Sequence, residues 1–190
     1  VSKDPGPDIT QWPRVTKVLE LTGISDFSKI RNAEFYLQRG GDIHMICESI
    51  DKGEPDYWSG SDLDGYAKAW IAFKAETLFV PDLIEHPVYH DLRRYKGTLD
   101  RTGKFPTAKK VLIDIKSGIV ADWTALQTGA YAATFVDGDE YERYGVSLSA
   151  TGKWKMTQFK DYRTDSNFFF SLVASLYAKE HYGKVVDYGD

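Results

Sequence analysis

The stretch Val111-Leu112-Ile113-Asp114-Ile115-Lys116 constrains this chain more than any other, because an acid and a base interrupt an otherwise apolar run. On a β-strand alternate residues share a face. Val111, Ile113 and Ile115 can then pack inward on one side while Asp114 and Lys116 stand side by side on the other. Charged groups next to a core are costly unless they are paired. The pair is therefore either a structural salt bridge at a strand end or part of a site that uses its charge.

The flanking pattern places this strand in an α/β context. Residues 1–13 read as an extended lead-in ending at Trp12-Pro13. Val15, Val18, Leu19 and Leu21 before Gly23 predict a short helix stopped by glycine. A second helix is predicted over 32–50, hinged at Gly40-Gly41, and a third over 61–79, capped by Ser61 and ended by Pro81. Residues 83–90, 94–102 and 109–116 are short, rich in β-branched and aromatic residues, and separated by turn-like segments. Helix returns over 122–134. Residues 144–150 and 154–159, joined by Thr151-Gly152-Lys153, predict a hairpin, and 166–182 a final amphipathic helix. No linker or repeat breaks the order, so the expectation is one α/β domain over 1–190. It divides into a helical part (1–80), a sheet-and-helix part (81–160) and a C-terminal helix (161–190).

Three further groups bear chemistry. Asp100, in Gly97-Thr98-Leu99-Asp100, lies near the end of the strand before Asp114. If those strands pair, the two carboxylates converge, and two carboxylates repel unless a cation sits between them. Read alone, Asp100 is as easily a turn aspartate. His44 and Glu48 are four residues apart and share a helix face, although a single helical histidine is more often a packed residue than a ligand. Gln127 and Tyr131 also share a helix face, opposite the apolar stripe of Trp123, Leu126, Ala130 and Ala133.

Taken in order, the histidine, G-x-x-D, D-x-K and Q-x-x-x-Y resemble the RecB-type branch of the PD-(D/E)xK nucleases. The residues that carry the resemblance are His44, Gly97 with Asp100, Asp114 with Lys116, and Gln127 with Tyr131. It covers roughly residues 40 to 135. Glu85 looks like the acid that often precedes the G-x-x-D strand in that family. The resemblance implies a restriction-endonuclease-like core, a central mixed sheet flanked by helices, and a divalent-metal-dependent DNA nuclease, expected to be an exonuclease in repair, recombination or phage DNA processing. It implies Mg²⁺ or Mn²⁺ held by His44, Asp100, Asp114 and the backbone carbonyl of Ile115. Asp100, Asp114, Lys116, Gln127 and Tyr131 would be the catalytic set, with Glu85 and Glu48 as accessory acids. DNA is the expected partner, alongside a separate helicase, recombinase or single-strand-binding protein. The iron–sulfur cluster of some relatives is not expected, since Cys47 is the one cysteine.

Charge and composition qualify this reading. The net charge of −4 argues against a broad basic face but not against a local groove. Residues 91–116 concentrate Arg93, Arg94, Lys96, Arg101, Lys104, Lys109, Lys110 and Lys116 against Asp91, Asp100 and Asp114. That excess predicts a phosphate-tracking groove, which Lys153, Lys155, Lys160 and Arg163 would extend; solvated strand edges are the plain alternative. The lone cysteine and the lack of a bilayer-length apolar run or a leader-like start predict an intracellular protein with no membrane segment. Three other readings remain: a nucleic-acid-binding or assembly module whose nuclease site has decayed, a zinc protein using His86 and His90, which Pro87 disfavours, and a nuclease acting on RNA, since nothing in the sequence reads a 2′-hydroxyl.

Overall fold

The computed structural model describes residues 7–25, 33–55 and 58–183. Three helices come first: α1 (Val15–Leu21), α2 (Ala33–Lys52) and α3 (Asp64–Thr77). Then follow β1 (Val80–His90), β2 (Tyr95–Phe105), β3 (Ala108–Lys116), α4 (Thr124–Ala132), β4 (Glu142–Leu148), β5 (Trp154–Phe159) and α5 (Tyr162–Tyr182). The strands form one five-stranded sheet in the order β1-β2-β3-β4-β5. β1, β2 and β3 are joined antiparallel, β3 and β4 run parallel, and β5 returns antiparallel. The chain is thus α/β, with a mixed sheet flanked by helices. Antiparallel neighbours need only tight turns, whereas the parallel step needs a crossover, and α4 supplies it.

Alternation on β3 divides the molecule into two layers. Val111, Ile113 and Ile115 pack with Ile43 and Cys47 of α2 and with Trp70 and Phe73 of α3. Leu112 faces the other way, into a cluster with Val15, Val18 and Leu19 of α1, Ala130 and Tyr131 of α4, and Phe169 and Val173 of α5. No helix among the described residues is long and apolar enough to cross a membrane.

Several boundaries differ from the sequence expectation for local physical reasons. The predicted start of α2 at Asn32 lies outside the described residues. Its glycines make no hinge: the helix runs unbroken to Lys52, because burial of Ile43, Ile46 and Cys47 outweighs the ~1 kcal/mol that each glycine costs a helix. Ser61 does not cap α3. Its hydroxyl accepts from the Leu63 N–H (3.2 Å) in a turn before the helix. The helix stops at Leu78, which adopts a left-handed φ of 55°; Pro81 lies inside the edge strand β1, where its missing N–H is tolerated. α5 starts earlier than predicted because Asp161 caps it, accepting from the Thr164 N–H (3.0 Å).

A buried ionic network ties the two helices of one layer to the sheet. Arg101 of β2 is fully buried. It donates to Asp51 of α2 (2.6 Å), to Glu85 of β1 (2.8 Å) and to its neighbour's carbonyl at Asp100 (2.6 Å). Asp51 also accepts from Trp70 (3.1 Å) and Lys74 (2.6 Å) of α3. Arg101 is therefore a structural cation and not the DNA contact expected from sequence: its guanidinium is enclosed, where phosphate cannot reach. Removing one partner of a buried ion pair leaves an uncompensated charge and costs about 3–5 kcal/mol. Asp51→Ala is expected to lower stability by that amount in urea unfolding; a loss below about 1 kcal/mol would show that the network does not hold α2 and α3 to the sheet.

Candidate functional site

The pairing of β2 with β3 brings two acids together. Arg101 faces Ile113 and Thr102 faces Leu112, so the same register sets Asp100 opposite Asp114. Asp100 Oδ2 accepts the Ile115 N–H at 2.6 Å. Burial pushes the Asp100 carboxyl up; the positive charge of His44 opposes this, the charges of Asp114 and Glu85 add to it, and the group rests at about 7. Asp114 is 1% exposed, and neither of its carboxylate oxygens accepts a hydrogen bond. The Lys116 ammonium lies 2.8 Å from Asp114 Oδ2, an ion pair. Buried polar atoms are almost always satisfied, and an exception calls for an unseen ion or a functional role.

His44 reaches this point from α2. Its Nδ1 lies 3.1 Å from Glu85 Oε1 and 3.7 Å from Asp100 Oδ1, and its Nε2 lies 3.1 Å from the Ile115 carbonyl. Burial disfavours a charged ring, but the carboxylates of Asp100 and Glu85 outweigh it and raise the imidazole to about 9. With acceptors at both nitrogens, the ring is an imidazolium, a cation among acids. The donor atoms of His44, Glu85 and Asp100 all lie within 4.8 Å of one another. Glu85 thus completes the tightest cluster, while Asp114 lines the cavity beside it.

Glu85 occupies that place through an irregular backbone. Pro81 pairs with Gly103 but Ile84 pairs with Arg101, so β1 carries one extra residue there. Glu85 follows with φ 44°, a conformation that costs a non-glycine residue of order 1–3 kcal/mol. Its bonds to Arg101 and His44 offset that strain. Glu48 does not share this role: it bonds Lys52 (2.6 Å), one turn further along α2, and is outside the cluster that Glu85 forms with His44 and Asp100.

The opposite wall comes from α4. Lys116 donates to Gln127 Oε1 (3.0 Å), and Gln127 Nε2 reaches the Tyr131 hydroxyl (3.5 Å). The Trp123 ring lies 5.1 Å from the Lys116 ammonium. Burial works against the charge on Lys116, but Asp114 and Asp100 outweigh it and hold the group above its ordinary value. Burial pushes the Tyr131 phenol up as well, so its hydroxyl keeps its proton. Gly97 has a steric reason to be glycine: a Cβ there would come 2.6 Å from Tyr131 Cε1.

These side chains line a cavity of about 260 Å³ together with Arg14, Val15 and Thr16. Arg14 belongs to the N-terminal segment, which is fixed along β2: Arg14 bridges to Lys96, the Lys96 N–H donates to Pro13 (3.0 Å), and its ammonium donates to the carbonyls of Ile9 and Thr10 (2.8 Å each). Among the described residues no carboxylate pairs with Arg14. Sequence reading missed it, because no local signal carries the segment before α1 to this cavity.

The basic run of 91–116 does not form the continuous groove expected from sequence. Arg101 is buried, Lys96 is bonded to backbone carbonyls, and Lys110 pairs with Asp137 and Glu140. Arg93 and Arg94 sit in the exposed β1–β2 turn, and exposed Lys104 lies at the far end of β2.

The residues could hold a divalent cation: two facing carboxylates, an adjacent carbonyl, and an imidazole that can ligate once it gives up its proton. No protein-family model and no curated protein matches the chain.

A pH dependence follows. Both Asp100 (to about 7) and His44 (to about 9) are raised, so the stability their protons give is complete below the unfolded values and is lost as pH climbs through the folded ones. A cation must displace those protons. The melting temperature without metal is expected to fall from pH 5 towards pH 9, and the increase given by Mg²⁺ to grow over the same range. An increment independent of pH would contradict this account of the site.

Proposed function

We propose that the chain is a divalent-metal-dependent DNA phosphodiesterase with a RecB-type, restriction-endonuclease-like core. The observation that carries the reading is the Asp114 carboxylate, buried, facing Asp100 and partnered by the Lys116 ammonium. The element order supports it: a helix bearing the histidine, three antiparallel strands bearing the acids, a helix bearing Gln127 and Tyr131, and a parallel strand.

Asp100 and Asp114 would hold the cation, with His44 and the Ile115 carbonyl beside them and Glu85 behind His44. A divalent ion bound there supplies charge neutralisation at a phosphate and a more acidic water. Lys116 stays charged. Acting as a base near neutral pH would need its pKa lowered by about 3 units, about 4 kcal/mol, and its neighbours push it the other way. Its ammonium therefore orients the attacking water and offsets phosphate charge. Gln127 fixes that ammonium through its carbonyl oxygen. Tyr131 offers a protonated hydroxyl to an anionic oxygen, and Arg14 offers the cavity a guanidinium to hold a phosphate. Hard oxygen ligands suit Mg²⁺ and an imidazole suits later divalents, so both Mg²⁺ and Mn²⁺ are expected to support cleavage, with Mn²⁺ at least as good.

The test is cleavage of end-labelled linear, circular and single-stranded DNA in Mn²⁺. Cleavage is expected to stop in excess EDTA and to fall by about 10²-fold or more in Lys116→Ala, the scale of losing one preorganised charge at a transition state, while calorimetric Mn²⁺ binding persists. Resistance of the circle would select an exonuclease. Cleavage that survives EDTA, or a Lys116→Ala protein at full rate, would contradict the proposal. Mn²⁺ binding that does not depend on Asp114, together with no cleavage of any substrate, would select the decayed-module reading instead.

A further inference from the structure

We propose that the cleft between the β1–β2 turn and α5 is a second binding site, one that takes a single strand of DNA leading to or from the catalytic cavity. The choice of ligand rests on the nuclease reading. The cleft encloses about 610 Å³ and is lined by Leu92, Arg93 and Arg94 from the turn and by Phe170, Tyr177 and His181, among others, from α5. Phe170, Val173, Ala174, Tyr177 and His181 recur at intervals of three and four, so they form one stripe of the helix. Val173 is buried, and Phe170 and Tyr177 pack on the core beside it while lining the open cleft; Leu92 on the turn is 82% exposed.

The turn is held in shape to face this stripe. The Tyr177 hydroxyl donates to the Arg94 carbonyl at 2.6 Å, and Arg94 takes a left-handed φ of 55°. The Arg93 guanidinium lies 4.8 Å over the Phe170 ring. The side chains of Arg93 and Arg94 are exposed, and no carboxylate pairs with them among the described residues. Within the cleft Glu180 is the acid, set against two arginines, so the balance favours an anion.

An anion alone would need only the arginines. The flat Phe170 and Tyr177 rings beside them suit a ligand that alternates charge with planar apolar surface, which is the pattern of an unpaired strand: a phosphate would draw exposed Arg93 off the Phe170 ring and pair with Arg94, leaving the rings to bases. A duplex hides its base faces and would leave that wall unused. Glu180 repels phosphate and fits the base side. The cleft also has a defined relation to the cavity. Arg94 in the turn precedes Asp100 of β2 by six residues, at most about 20 Å of chain at ~3.3 Å per residue. A strand engaging both places must span that separation, so substrates of a few nucleotides reach the cavity without reaching the cleft.

The experiment measures binding apart from cleavage, by fluorescence anisotropy in EDTA, using a 20-nucleotide single strand, a 4-nucleotide strand and a 20-base-pair duplex. Wild type is expected to bind the long strand more tightly than the duplex. The double variant Arg93→Glu, Arg94→Glu, at exposed turn positions, is expected to weaken the long strand at least tenfold, leave the short strand unchanged and keep its melting temperature. Phe170→Leu, which keeps the packing and removes the stacking face, is expected to weaken the long strand several-fold. Equal affinity of wild type and the double variant for the long strand would overturn the site. So would displacement of the strand by polyglutamate at equal charge concentration, which would mark a surface that takes any anion. Length-dependent strand binding without metal-dependent cleavage would sink the nuclease reading and leave this site standing; cleavage by the double variant at wild-type rates for every length would do the reverse.

Discussion

Two carboxylates set face to face by the β2–β3 register are the constraint around which the rest of the site is arranged. Asp100 and Asp114 cannot both be ionised at close range in a buried place without a compensating positive charge. The surroundings provide three such charges: the His44 imidazolium, the Lys116 ammonium and the backbone N–H of Ile115 as a partial one. Only Asp100 receives a hydrogen bond from this set. Asp114 has the Lys116 ammonium as its partner, and in the proposed reading its oxygens share a hard cation with Asp100.

The surrounding architecture limits how this cluster can relax. Arg101, enclosed between α2, α3 and β1, holds Glu85 in a strained backbone conformation, and Glu85 holds His44. On the other side, Gly97 leaves room for the Tyr131 ring, and Gln127 ties Lys116 to α4. The N-terminal segment, pinned to β2 through Lys96, closes the remaining side with Arg14. The cations of the sheet thus divide by task. Arg101 and Lys96 serve the fold, Lys116 and Arg14 face the cavity, and Arg93 and Arg94 stand out at the turn.

What could be read from the sequence follows the range of the interaction involved. Alternation alone places Val111, Ile113 and Ile115 against one layer, and the structure keeps them there. The juxtaposition of Asp100 with Asp114 needed only the assumption that adjacent strands pair. Helix ends were less legible: Leu78 turns left-handed and ends α3 where proline was expected to, and the glycine pair leaves α2 unbroken because packing decides. Least legible were features whose partners lie far along the chain. Arg101 reads as one more surface base until Asp51, fifty residues earlier, is seen to enclose it. Glu85 was singled out by resemblance, but no local residue announces the bulge that turns it towards His44. Arg14 joins the cavity through a backbone bridge to Lys96, which no periodicity signals.

The central claim is that these acids hold a cation, and anomalous scattering from crystals grown in Mn²⁺ tests it most directly. The account predicts an anomalous peak within bonding distance of carboxylate oxygens from both Asp100 and Asp114. A structure with Mn²⁺ bound only to acids on the surface, and with Lys116 and His44 still neutralising the pair, would contradict it.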